Sequence, residues 1–138
     1  MDRCYFIEKE TFEIYKEHPK VFSCDPMIAK VISKLNKLGY YTLASCESHY
    51  EIKEYDISYP KEKMVTGIYI LFKSKYEFPN IPEGFIVEEL GEKTSLSHTI
   101  NYFNASGNYK NRTEFEQEKE KYCKIITEWA MNLPERER

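Results

Sequence analysis

The stretch CDPMIAKVISKLNKLGY, residues 24 to 40, constrains the fold more than any other part of the chain. Asp25 is a good N-cap, and Pro26 falls at the first helical position, where its missing N–H costs nothing. Ile28, Val31, Ile32, Leu35 and Leu38 recur at spacings of three and four and make one apolar stripe. Lys30, Lys34 and Lys37 take the wet side, and the later ones suit the negative end of a helix. Gly39 supplies the left-handed position that closes it. A one-sided helix has to bury its stripe against another layer. Residues 40 to 46 follow at once with the alternation of a strand.

The rest of the chain supplies that layer. TGIYILFK, residues 66 to 73, is an almost unbroken apolar run of β-formers, the pattern of a central strand covered on both faces. FPNIPEGF, residues 78 to 85, is a proline-punctuated link. FIVEEL and TSLSHTINYF then predict a hairpin turning at Gly91 to Lys93, and RCYFI near the start predicts a further short strand. A last helix is expected from about residue 114, with Thr113 and Glu116 as its capping box. Phe115, Tyr122, Ile126, Trp129 and Leu133 mark its apolar side. The expectation is an α+β fold: a mixed or antiparallel sheet of about five strands with two main helices packed on it. It forms a single domain over residues 1–133, and residues 134–138 make a charged, frayed tail.

Composition limits the function classes. Of 138 residues, 41% are hydrophobic and 31% charged, the mix of a globular protein. No apolar run approaches the roughly 18 residues that span a bilayer. The opening MDRCYFIEKE lacks the basic-then-apolar order of a signal peptide, so a cytoplasmic location is expected, the host cytoplasm if the source is viral. A net charge of −3 argues against a general nucleic-acid binder, yet one local basic loop is enough for a small anionic ligand. Cys4, Cys24, Cys46 and Cys123 form no C-x-x-C pair, which disfavours a zinc ribbon or a dithiol redox site. Neither a P-loop nor a glycine-rich dinucleotide fingerprint occurs, and no cofactor is expected.

Three segments carry candidate chemistry. In SCESH, residues 45 to 49, polar groups lie where a strand gives way to a loop, a favoured place for ligands. Cys46 and His49 fit half of a metal site, or a thiolate and its base, or an ordinary strand exit with a buried cysteine. His98 shares the apolar face of its strand with Leu96, Ile100 and Tyr102, where a satisfied core histidine competes with a functional one. Zinc held by Cys46, His49 and His98 lacks an evident fourth ligand and ranks last, so no metal is expected. NASGNYKNRTEFE, residues 104 to 116, combines small and amide residues, Lys110, Arg112 and a helix start. That suits an anion, or equally a solvated loop with a capping threonine. Among the 12 tyrosines, Tyr40, Tyr41, Tyr50 and Tyr102 lie nearest these polar segments, where their rings can stack on a purine.

ISKLNKLGYYTLASCESH, followed by GIYILFKSKYEFPNIPEGF, resembles a family of small proteins from Gram-positive bacteria and their phages. That family's pattern is a helix ending L-N-x-x-G-Y, a strand ending S/C-C-S-G-H, and an apolar strand leading to F-P-x-(L/I)-P-x-G-F. The resemblance spans residues 25 to about 103, with Ser48 standing for the motif glycine. More distantly, the central motif resembles the S-S-C-S-G-R segment of the tRNA wybutosine-synthesis methyltransferases, with His49 in place of the arginine. The resemblance implies a nucleoside-sized pocket. By analogy with small phage proteins, it implies an anti-defence sponge that sequesters a nucleotide-derived signal of the ADP-ribose kind. The alternative is an S-adenosylmethionine-dependent methyltransferase-like enzyme acting on a nucleoside or RNA. The expected ligand-binding set is Tyr41, Ser45, Cys46, Glu47, His49, Tyr50, His98, Tyr102, Lys110 and Arg112. In it tyrosines stack on a base, Ser45, Glu47 and His49 read polar edges, and Lys110 and Arg112 neutralise phosphate. A site between subunits, and so a homo-oligomer, is also expected.

Overall fold

The computed structural model describes residues 4–7, 21–50 and 64–136. Its fold is α+β. β1, Cys4–Ile7, is the expected early strand and pairs antiparallel with β2, Val21–Cys24. A 3₁₀ turn, Pro26–Ile28, then leads into α1, Ala29–Lys37. Ile28, Val31, Ile32 and Leu35 are buried, as the stripe requires. Gly39 closes the helix at φ +96, with Tyr40 N–H bonded back to the Leu35 carbonyl.

The main sheet has the order β3-β4-β6-β5 and is antiparallel throughout: β3 is Thr42–Cys46, β4 Val65–Phe72, β5 Ile86–Leu90 and β6 Lys93–Asn101. Four strands form this sheet, against about five expected, because the early strand pairs in a separate two-stranded ladder. β4 is central, but only one of its faces is covered among the described residues. Ile68, Ile70 and Phe72 point into the core while Val65 and Tyr69 are exposed, so the apolar run overstated its burial. The buried amide of Asn36 joins helix to sheet. Its Nδ2 donates to the Ile32 carbonyl (2.8 Å) and to Thr42 Oγ1 (2.9 Å), and its Oδ1 accepts from Thr42 N–H (3.1 Å).

α2, Arg112–Met131, lays Phe115, Ile126, Trp129 and Ala130 on the same core. It begins two residues before the expected start. Asn111 is the N-cap, accepting from Glu114 N–H at 2.8 Å, and Glu114 reaches back to Asn111 N–H. The proline-rich link is fixed to α2 by Trp129 Nε1, which donates to the Asn80 carbonyl (3.2 Å). The tail, expected to fray, is held as far as Arg136. Its N–H bonds the Leu38 carbonyl (2.9 Å) and its guanidinium lies 4.8 Å from the Tyr76 ring centroid.

One-sided burial of β4 predicts a sharp contrast between neighbours. Ile70→Ala should cost about 2–5 kcal/mol, and Tyr69→Ala, on the open face, less than about 1 kcal/mol, both read from urea denaturation midpoints.

Candidate functional site

Asp25 stands where a helix cap belongs, yet its carboxylate caps nothing. It turns to the end of β3, where Oδ2 accepts from Glu47 N–H (3.0 Å) and lies 3.1 Å from His49 Nε2. Asp25 is only 3% exposed, and its Oδ1 has no hydrogen-bond partner among the described residues. The vacated capping role passes to Glu47, whose Oε1 accepts from Met27 N–H (3.4 Å). Glu47 Oε2 in turn meets Lys119 Nζ at 2.6 Å, and both side chains are buried. An ion pair this dry survives only because each partner compensates the other's lost hydration.

The backbone here is bent to match. Ser48, fully buried, has φ +80, a conformation that costs a non-glycine residue roughly 1–2 kcal/mol. Its Oγ donates to Thr66 Oγ1 (3.1 Å) and its N–H to Cys46 Sγ (3.3 Å). Burial pushes the Cys46 thiol above its ordinary value. The Ser48 N–H works the other way, and the Asp25 and Glu47 charges add to the rise. That environment works against the thiolate-and-base pair considered for Cys46 and His49, since the thiolate is the nucleophile.

The segments singled out at residues 45–49 and 104–116 meet in space. Tyr102 Oη donates to the His49 carbonyl (3.3 Å) and Tyr50 Oη to the Lys110 carbonyl (2.7 Å). Both rings pack on Phe115, with centroids 5.9 and 5.2 Å away. The charge expected for phosphate is largely spoken for. Lys110 Nζ is 2.6 Å from Glu118, whereas Arg112 lies over Tyr50 with its side chain 70% exposed. The loop amides are used internally. Asn104 Oδ1 accepts from Ser106 and Asn108 N–H, and Gly107 N–H bonds the Asn104 carbonyl. Ser45 stands opposite buried Ile70 in the ladder and so shares its inward face.

Two members of the expected set lie elsewhere. Tyr41 is at the far end of β3, its N–H bonded to Tyr76 Oη and its carbonyl to Lys73 N–H. His98 is stacked on Tyr122 with centroids 3.6 Å apart and lies beside Phe85. Its Nδ1 donates to the Gly84 carbonyl (2.6 Å), and its Nε2 has no hydrogen-bond partner among the described residues. The residue is half-buried, held by ring contacts and a backbone carbonyl. Conversely, Asp25 and Lys119 belong to the site but not to the expected set. The Asp-Pro pair reads so well as a helix start that nothing in it advertises a second use. Lys119 did carry a signal: it falls on the apolar stripe between Phe115 and Cys123, where an ammonium must find a buried partner.

At the opposite end of the sheet lies a cleft of about 610 Å³, lined by Tyr40, Tyr76 and Phe78, by Pro79 and Pro134, and by charges of both signs, Lys75 and Arg136 beside Glu77 and Glu135. Tyr40 and Tyr76 meet edge to face at 5.5 Å, and Phe78 packs on Tyr40 and Trp129 at 5.2 and 5.4 Å. Burial raises the Tyr40 phenol above its ordinary range, against the pull of the Arg136 charge. Comparison of the chain with family models, curated proteins and solved structures finds no match.

Removing one partner of the buried ion pair should be severe. Lys119→Met is expected to cost about 3–5 kcal/mol, because it strands the Glu47 charge, and Lys119→Met with Glu47→Gln should recover much of it. Ser48→Gly trades one hydrogen bond for relaxed backbone and should stay within about 1 kcal/mol of the parent. Ser48→Ala keeps the strain, loses the bond and should fall about 1–2 kcal/mol lower. Urea titrations of the variants decide both comparisons.

Proposed function

We propose that the protein binds and retains a small nucleotide-derived anion, of the ADP-ribose kind, in the cleft at the Tyr40 end of the sheet. The observation that carries this reading is the coincidence of size and lining. A volume of about 610 Å³ lies within the roughly 300–1,000 Å³ range of small-molecule sites. Buried Tyr40 and Tyr76 form a stiff backing, and half-buried Phe78, packed on Tyr40, Phe72 and Trp129, is the ring presented to a base. Lys75 and Arg136 stand at this lining to meet a phosphate, beside the carboxylates of Glu77 and Glu135, and a guanidinium suits that oxyanion geometry. Among the described residues Lys75 meets Glu89 at 3.9 Å, both well exposed, so little is lost when it turns to a ligand.

This keeps the ligand class expected from the sequence and moves its place. Near residues 45–49 the nearby lysines are already paired with Glu47 and Glu118. Retention rests on ground-state contacts, whereas turnover needs groups that favour a transition state.

The test is direct. Purified protein is mixed in parallel with ADP-ribose and with S-adenosylmethionine, freed of unbound ligand, heated, and the released material is analysed by chromatography. Stoichiometric return of unchanged ADP-ribose is expected. The Lys75→Ala, Arg136→Ala double variant should retain at least about tenfold less, while His49→Ala should match the parent. Chemical conversion of either compound would replace retention with an enzymatic reading, and no retention of either overturns the proposal.

A further inference from the structure

The Asp25 tip holds a grouping with its own chemistry. One donor atom each from Asp25, Cys46 and His49 lies within 4.8 Å of the other two, and the carboxylate-to-imidazole distance is 3.1 Å. Around a tetrahedral zinc, with bonds of about 2.0–2.3 Å, donors sit roughly 3.3–3.8 Å apart. Donors within 4.8 Å of one another would have to draw in to that spacing for the set to close. Two further observations point to a cation. Asp25 Oδ1, on a side chain 96% buried, lacks any hydrogen-bond partner among the described residues. A buried carboxylate oxygen left bare is costly, and a metal ion satisfies it. The charges also close: Lys119 cancels Glu47, while a divalent ion cancels the Asp25 carboxylate and a Cys46 thiolate together.

We infer that Asp25, Cys46 and His49 form a binding site for a divalent cation of the zinc type. One thiolate, one imidazole and one carboxylate suit zinc or cobalt far better than magnesium or calcium, which prefer all-oxygen shells. The surroundings are those of a supported site. Ser48 N–H already points at Cys46 Sγ, Glu47 N–H orients the carboxylate through Oδ2, and Tyr102 Oη holds the His49 carbonyl. Metal binding releases the Cys46 proton to solvent and takes the neutral imidazole of His49 as ligand. Three protein donors leave a fourth position for water or a small ligand. Cys46 and His49 are half-buried, and together they give the ion its way in. The site is separate from the cleft and does not depend on its occupant.

Full-length protein, stripped with a chelator and kept reduced, is titrated with cobalt(II). A thiolate-to-cobalt charge-transfer band should grow to an equimolar end point and vanish on adding zinc. Cys46→Ser should abolish the band, and Asp25→Asn or His49→Gln should weaken binding at least about tenfold. Cys123→Ala and the Lys75→Ala, Arg136→Ala double variant should leave the band intact, so failure here is distinguishable from failure of the cleft. In the unmutated protein, zinc should slow alkylation of the Cys46 peptide as followed by mass spectrometry. This second readout survives even if a variant misfolds. No band, a band that persists in Cys46→Ser, or Cys46 labelling indifferent to zinc overturns the proposal.

Discussion

The tip of this molecule depends on one buried contact, the 2.6 Å ion pair between Glu47 and Lys119. Two charges out of water need each other, so the turn after β3 cannot leave α2 without exposing a heavy electrostatic debt. With Glu47 fixed, its second oxygen serves Met27 N–H at the helix entrance and its own N–H engages Asp25. That exchange is what releases the Asp25 carboxylate from capping and sets it beside Cys46 and His49. The strained Ser48 backbone is tolerated for the same reason: the residues on either side of it are held by partners on other elements.

Much of the fold was legible in the sequence because it rests on periodicity and end signals. The α1 stripe, the Gly39 stop and the hairpin at Gly91 follow from residue patterns that the structure repeats, whereas β2 and the order of the strands in the sheet were not read. Two misreadings share a cause: local patterns can be satisfied in more than one way. Residues 111 to 116 contain both Asn-x-x-Glu and Thr-x-x-Glu, and the competing boxes differ by two residues. Asn111 won, its side chain accepting from Glu114 N–H. The run at residues 66 to 73 is apolar enough for a strand covered twice, but only tertiary packing decides how many layers are available.

The candidate site was legible in part. SCESH and the loop before α2 do come together, through Tyr50 and Tyr102, which links sequence separations of 60 and 53 residues. What could not be read was which polar groups had been spent. Lys110 is committed to Glu118, the loop amides to Asn104, and His98 to Gly84 and Tyr122. Such commitments depend on distances, to which a linear pattern is blind. The functional reading therefore divides between the two ends of β3, an aromatic cleft edged by charges of both signs at one and a carboxylate–thiol–imidazole group at the other.

Asn36 anchors one of these ends. Its amide engages both the Thr42 N–H and the Thr42 hydroxyl, so moving the first residue of β3 would leave buried polar atoms on each side bare. The pairing with β4 then shifts register between Thr42 and Ala44, so the clamp and the tip belong to two differently registered halves of one short strand. Past that irregularity, Ser45 opposite Ile70 and Cys46 opposite Tyr69 set where the thiol stands, and the tip takes its position from β4 and not from the helix amide.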